Sequence, residues 1–419
     1  MSEYIFDSCG IQNLGVLSNE YHFHHIEGIS FNQPNISLNS SWNPNAAIVA
    51  NQSIIGSAIS DFFITTNNSI FISNGQQGQV LLLDSANSGN VTDTRNTSIN
   101  SSSLFVGQGN QVYFDSFSSV TGGVSQIGWN SSTHPTLIIS LCQQCFDIFV
   151  DSDENLFCSI SARHQVLFRS LQQPSTHLMI AAGTGSKGST ATTLSQPKGI
   201  FVDTSIGDLF VADCDNNRVQ LFHHESLVAQ TVVANRSSNV TFTLDCPSHI
   251  VLDSNKLLFI VDSNNGRVVR QTSNGFTCIV GCGGTQVTYP SRIAFDSVEN
   301  LFVLDQSAHR LWKFDLITWK SAGTTNGSLG WITTGNMSVA RYGHTATILS
   351  NGTVLVTSGY NGVCLSSAEL YNPLTGSWTT GTMSVVRSAH TATSLSNGNV
   401  LFAGGDNCGS FLSSAELYQ

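Results

Sequence analysis

A phrase of twelve residues limits what this chain can become more than any other feature. Residues 211–222 read VADCDNNRVQLF, and the same grammar returns at 260–270 as IVDSNNGRVVR and at 303–314 as VLDQSAHRLWKF. Each phrase reads as a strand, a tight polar turn and a second strand. A chain that repeats such a phrase is assembled from copies, and copies bury a continuous core by stacking on their neighbours.

Extending the alignment gives six copies, at 60–83, 102–117, 146–168, 198–222, 248–270 and 291–314. The aromatic residue of the second strand falls at 71, 113, 157, 210, 259 and 302, a spacing of 42 to 53 residues. In four copies the first strand ends in an aspartate: Asp151, Asp203, Asp253 and Asp296. A carboxylate there can accept hydrogen bonds from the N–H groups of the turn that follows. The strand runs are continuously apolar, as expected of strands buried on both faces. A further apolar segment separates copies, at 177–185, 227–235 and 276–284. Four strands in about 45 residues is the repeat of a β-propeller blade. The segment AAIVANQSIIG (46–56) has the pattern of a fourth strand but precedes the first copy. Residues 46–51 are therefore expected to close the ring as the outer strand of the sixth blade, which removes an open sheet edge.

Composition agrees. Only 10% of residues are charged and 36 are glycine, against roughly 25% charged in ordinary domains. Short strands joined by Gly, Asn and Ser turns produce this balance. The net charge of -11 leaves no basic field for nucleic acid or an anionic membrane surface. No apolar run is long enough for a membrane-spanning helix.

The copies resemble the NHL repeat, closest in PKGIFVDTSIGDLFVADCDNNRVQLF (197–222). That resemblance implies a six-bladed propeller. The C-terminal quarter changes grammar. Residues 335–378 and 381–419 share R-x-x-H-T-A-T and A-E-x-Y elements, so that Arg341 recurs as Arg387 and His344 as His390. These two units resemble kelch repeats, and two cannot close a ring. The expected class is all-β, with a six-bladed NHL-type propeller and an incomplete kelch-type propeller fragment. The expected domains are an N-terminal segment of uncertain order (1–44), the NHL ring (45–320) and two truncated kelch-like blades (321–419).

Ten cysteines favour disulfides in an oxidising compartment. Placement at strand ends that a propeller brings together gives the pairs Cys145 with Cys158, Cys214 with Cys246, Cys278 with Cys282, and Cys364 with Cys408. Cys9 and Cys142 are left over. Thirteen N-x-S/T sequons are compatible with an extracellular or lumenal glycoprotein. The start, MSEYIFDSCG, is not a signal peptide, so the chain is expected to be either a fragment of a longer gene product or a cytoplasmic protein with reduced thiols.

Asp213 with Arg218, Asp262 with Arg267 and Asp305 with Arg310 could pass for catalytic pairs. Their recurrence marks a blade-building device, in which the Asp fixes the turn and the Arg bonds to it. Arg341, His344, Arg387 and His390 are scaffold positions of the kelch resemblance. The run HFHH (22–25) with Glu27 could hold a metal but lies outside the repeats. The NHL resemblance also implies an enzymatic alternative, the peptide-amidating lyases, whose zinc is held by histidines near the axis. Among the blade histidines His164, His223, His224, His249 and His309, only His249 starts an inner strand. No nucleophile elbow, phosphate loop or zincin motif is present. The expected function is a non-enzymatic binding or scaffold module recognising protein, peptide or glycan through propeller loops, without a cofactor. A metal-dependent lyase or hydrolase is the alternative. Lys198, His249 and Arg292, taken as equivalent positions in the turns before three inner strands, are the expected binding residues.

Overall fold

The computed structural model describes residues 15–16, 30–317 and 334–418, apart from 38–39, 57–58, 84–89, 98–100, 117–121, 131–133, 142, 174–176, 235–242, 274, 284–285, 350–352, 373–376 and 396–397. Cys9, Cys142, the HFHH run and the sequons at Asn39, Asn100, Asn235, Asn239, Asn326 and Asn351 lie outside the described residues. Two compact units divide the chain, Met1–Ile317 and Thr318–Gln419.

In the first unit each copy forms one antiparallel sheet whose strands follow chain order. The first strands are Ile59–Ile64, Leu104–Val106, Asp147–Val150, Pro197–Asp203, Pro247–Leu252 and Pro290–Phe295. Each of these strands adjoins the next, and the last adjoins the first. The continuous apolar runs are thereby buried on both faces, because a neighbouring sheet covers each side. The fourth strand of the last sheet is Ala47–Ala50, paired antiparallel with Arg310–Phe314 through Leu311 opposite Ala50 and Trp312 opposite Ile48. The strand expected to close the ring thus occupies the sheet edge that would otherwise lie open.

The turn aspartates act on their own backbone. Asp151 Oδ1 accepts from the N–H of Asp153 (2.9 Å) and Asn155 (2.8 Å). Asp253 does the same with Asn255 and Leu257, and Asp296 with Val298 and Asn300. Asp203 bonds Ser205 and pairs with Lys256 Nζ at 2.5 Å. Two of the three Asp–Arg pairs form: Arg218 Nε lies 2.7 Å from Asp213, and Arg267 Nε 2.8 Å from Asp262. The third does not. Both oxygens of Asp305 are taken by the amide and hydroxyl of Thr288 and by Ser307. Arg310 instead lies over the Trp312 ring. Asn216 and Asn265 join the first two pairs, where Ala308 has no side-chain amide to offer.

Residues 30–37 and 40–44, beyond the reach of the repeat pattern, pack along the far ends of the first strands. Thr66 N–H donates to Ser30 O, Ser254 N–H to Pro34 O, and Arg270 to the carbonyls of Ser37 and Ser40. Ile36 is fully buried, and the Trp42 indole donates to Glu299 O and meets Phe259 and Phe295. Disulfides join Cys145–Cys158, Cys214–Cys246 and Cys278–Cys282, with Cα separations of 5.4, 4.0 and 5.7 Å.

The second unit holds a four-stranded sheet (Thr345–Ile348, Val354–Thr357, Ser367–Asn372, Ser377–Thr382) and a three-stranded one (Thr391–Ser394, Val400–Ala403, Ala415–Tyr418). Arg341 pairs with Glu369 at 2.6 Å, and Arg387 with Glu416 at 2.8 Å. His390 bonds Thr345 and Thr357 of the neighbouring sheet, while His344 is exposed. Cys364–Cys408 joins the two kelch-like repeats within this unit.

Candidate functional site

The register identifies one column of the repeat. The second-strand residues Phe71, Tyr113, Phe157, Phe210, Phe259 and Phe302 pair with Phe63, Phe105, Phe149, Phe201, Val251 and Ala294. Two residues before these partners stand Asp61, Ser103, Asp147, Gly199, His249 and Arg292. His249 and Arg292 therefore share a column. Lys198 does not: it sits one residue earlier, level with Ser248 and Ser291, because Pro197, Pro247 and Pro290 are the matching positions. All three lie in the first strands rather than in the turns before them.

The column fastens each sheet to the next. Asp61 Oδ2 accepts from Leu104 N–H at 2.9 Å, and Asp147 Oδ2 from Ile200 N–H at 2.8 Å. His249 Nδ1 accepts from Ile293 N–H at 3.4 Å. At Gly199 the backbones approach so closely that a Cβ would lie 2.6 Å from both Ser248 O and His249 Cα. Arg292 completes the ring: its Nε is 3.2 Å from Asp61, its Nη1 2.5 Å from Asp147, and its Nη2 donates to Phe146 O at 2.6 Å. Arg292 is only 3% exposed, so it is a buried ion-pair centre rather than a surface cation.

One guanidinium faces two buried carboxylates. Burial pushes Asp61 up to about 7, against the pull of Arg292 and with a further push from Asp147. Burial also raises Asp147 and holds His249 well below the ordinary histidine value, where nearby Arg292 reinforces it. Asp115, which accepts from Cys145 N–H and Ser102, is likewise raised to about 7 by burial. Folded protein therefore holds protons that the unfolded chain releases near pH 4. The raised carboxylates should make the stability of the first unit fall as pH rises from about 4 to about 7, while the lowered His249, which gains stability as pH rises toward about 6.5, offsets part of that fall,. Urea midpoints at pH 5.5, 7 and 8.5 check this. Asp61→Asn should flatten the profile.

Below the column, Phe63, Phe105, Phe149 and Phe201 form an aromatic row with neighbouring centroids 4.8, 5.2 and 5.4 Å apart. Phe31 inserts edge-on against Phe105, Phe149 and Phe201. A cavity of about 70 Å³ remains between Phe31 and the Asp61–Arg292–Asp147 group. At the opposite ends of the first strands lies a mouth of about 420 Å³, lined by Ser60, Ser102, Gln144, Phe146, Ser291 and Gln306 among others. Lys198 Nζ stands 5.3 Å from the Phe146 centroid and Arg292 Cζ 5.5 Å on the same ring. Burial lowers the Lys198 ammonium.

The functional class expected of metal lyases needs an open set of donors at the axis. Here the axial carboxylates are bonded to Arg292 and to backbone N–H groups. Among the described residues the one compact group of potential ligands, Cys364, Asp406 and Cys408, contains a disulfide. Asp61, Asp147 and Phe31 are not among the residues that the repeat phrases single out. The first two are visible once the copies are aligned on the second-strand aromatic, since a charged residue recurs in an otherwise apolar strand. Phe31 lies outside every repeat and carries no such signal.

The Kelch motif family matches residues 340–382. No curated protein matches the chain. Among solved structures, a Bacteroides thetaiotaomicron protein of unknown function aligns with TM-score 0.51 and 13% identity, over 69% of this chain and 76% of the other. A streptogramin B lyase aligns with TM-score 0.48 and 11% identity, over 65% and 97%. A gluconolactonase from Xanthomonas campestris aligns with TM-score 0.46 and 13% identity, over 66% and 97%. At these identities the likeness is one of fold: the chain is all-β and propeller-like.

Proposed function

We propose that this chain is a non-catalytic binding module, an NHL-type ring of six blades over 45–320 followed by two kelch-type blades over 321–419. It captures a protein, peptide or glycan partner at the mouth around Phe146 and Lys198. The observation that carries this reading is Arg292. Its guanidinium satisfies both axial carboxylates, so the groups that could have bound a catalytic metal are spent on closing the ring. The mouth supports a binding role instead. Serine hydroxyls and glutamine amides offer donors and acceptors without fixed charge, and Lys198 supplies a cation for one acidic group of a partner. The four cysteine pairs favour an extracellular or lumenal setting,. No helix among the described residues is long and apolar enough to cross a membrane.

Two measurements test the proposal. Full-length protein dialysed against zinc, calcium and manganese should retain substoichiometric metal by elemental analysis. Metal held stoichiometrically and lost in Asp147→Asn would replace the binding reading with the lyase or hydrolase one. Displayed random peptides and a printed glycan array should yield ligands whose capture drops in Lys198→Glu. Ligands indifferent to Lys198→Glu and to Gln306→Ala would remove the mouth from consideration.

A further inference from the structure

In the second unit, one sheet covers the face of another. The register places Thr347, Leu355 and Leu370 in one row of the four-stranded sheet, with Thr345, Thr357 and Ala368 beside them on the same face. That face packs on Val400 and Phe402 of the three-stranded sheet. Leu355, Thr357 and Ala368 are buried by the contact. His390 fixes it by bonding the Thr345 and Thr357 hydroxyls, at 2.8 and 3.1 Å. The Ala389 N–H donates to Gly343 O, and the Gly359 N–H to Arg387 O.

The three-stranded sheet carries the same face again. Thr393 stands opposite Leu401 and Leu401 opposite Leu417, while Thr391 and Ala415 flank Ala403. Position by position these residues repeat the covered face, and only Thr357 is changed, to Ala403. Here, however, Thr391, Thr393 and Ala415 are exposed, Leu401 is 37% exposed and Leu417 46%. The four-stranded sheet shows the complementary lack. His344, Ala346 and Ile348 correspond to His390, Ala392 and Ser394 of the covering sheet, and all three are exposed, Ile348 at 70%. The unit thus presents, uncovered, both halves of a contact that it already makes once. Stacked repeats need a neighbour or a cap on such faces. A second copy of this chain carries both halves and so fits either face. We propose that copies of the chain dock head to tail, Leu401 and Leu417 of one copy on Ala346 and Ile348 of the next, with His344 bonding Thr391 across the contact. Such a contact joins different surfaces of the two copies and needs a ring to close. Propellers hold about four to eight blades, so two to four copies of two sheets each complete one.

Sedimentation velocity of the full chain, from micromolar to millimolar concentration, should show a discrete small oligomer. Ala346→Lys with Ile348→Lys should make it monomeric, and so should Leu401→Lys with Leu417→Lys. Lys198→Glu, at the mouth in the first unit, should leave the oligomer intact. All four substituted positions are exposed, so each double variant should keep a cooperative thermal transition, which separates lost docking from lost folding. Mixing the two monomeric variants gives the sharpest readout. Each retains the face that the other lacks, so together they should form a one-to-one heterodimer that grows no further. His344→Ala should weaken association about threefold to tenfold, the value of one lost hydrogen bond. A wild-type chain that stays monomeric overturns the proposal and leaves the two faces to a further repeat or a different protein. An oligomer that survives both double variants overturns it too, as does the absence of a heterodimer on mixing.

Discussion

Replacing Arg292 with methionine should destabilise the first unit by about 3–5 kcal/mol, the usual cost of removing one partner from a buried ion pair. Asp61, Asp147 and Arg292 are each under 7% exposed in their side chains, so water cannot take over the lost contacts. The substitution also deletes the hydrogen bond to Phe146 O. Two carboxylates would then share a buried site with no counter-charge, and both should take up protons. The loss should accordingly be largest at pH 8 and shrink toward pH 5. Hydrogen exchange provides a local readout. Leu104 and Ile200 donate their N–H groups to these carboxylates and should lose protection first. The triple variant Asp61→Asn, Asp147→Asn, Arg292→Met removes all three charges and should regain much of the stability, because a neutral polar core avoids the desolvation cost. If Arg292→Met alone unfolds at the wild-type urea concentration, the ring is not held at its axis by this group.

A chain that begins at Gln52 should lose cooperative unfolding altogether. It lacks Ala47–Ala50, which leaves Arg310–Phe314 as an open sheet edge,. It also lacks Trp42, Ile36 and Phe31, all packed into the core or against it. Burial of such large side chains is worth about 1.5–3 kcal/mol each, comparable together with the whole stability of a domain. The rescue experiment separates ring closure from general damage. Ser41 pairs with Ile317, so residues 41–51 can be re-inserted after Ile317 through a short turn and reach the same edge. That rearranged chain should recover a cooperative thermal transition. A truncated chain that still unfolds cooperatively would show that the strand is dispensable.

The repeat was legible because stacking imposes it. Every sheet is covered on both faces by another, so each copy must present the same apolar strands and the same turn chemistry. The aspartates at 151, 203, 253 and 296 and the pairs Asp213–Arg218 and Asp262–Arg267 serve local turns, and local chemistry survives in local sequence. The four described disulfides were also within reach, since strand ends meet wherever a ring places them. The pair expected of Asp305 and Arg310 failed on a residue outside the phrase, Thr288, whose hydroxyl and amide occupy the carboxylate first.

The sequence by itself determined an all-β chain of stacked four-stranded copies, a change of repeat near residue 320, and a spare strand for the last sheet. Only the tertiary structure decided what the axis does. Lys198, His249 and Arg292 looked alike as three cations preceding three strands. A register offset of one residue separates Lys198 from the other two, and only the folded ring brings its ammonium and the Arg292 guanidinium onto the same Phe146 side chain. Asp61 and Asp147 come from copies far from Arg292 in the chain, and no spacing rule links them. They meet because the ring brings the same column of each copy to one axis, where an isolated charge would be costly and the paired Arg292 joins its own sheet to those of Asp61 and Asp147,.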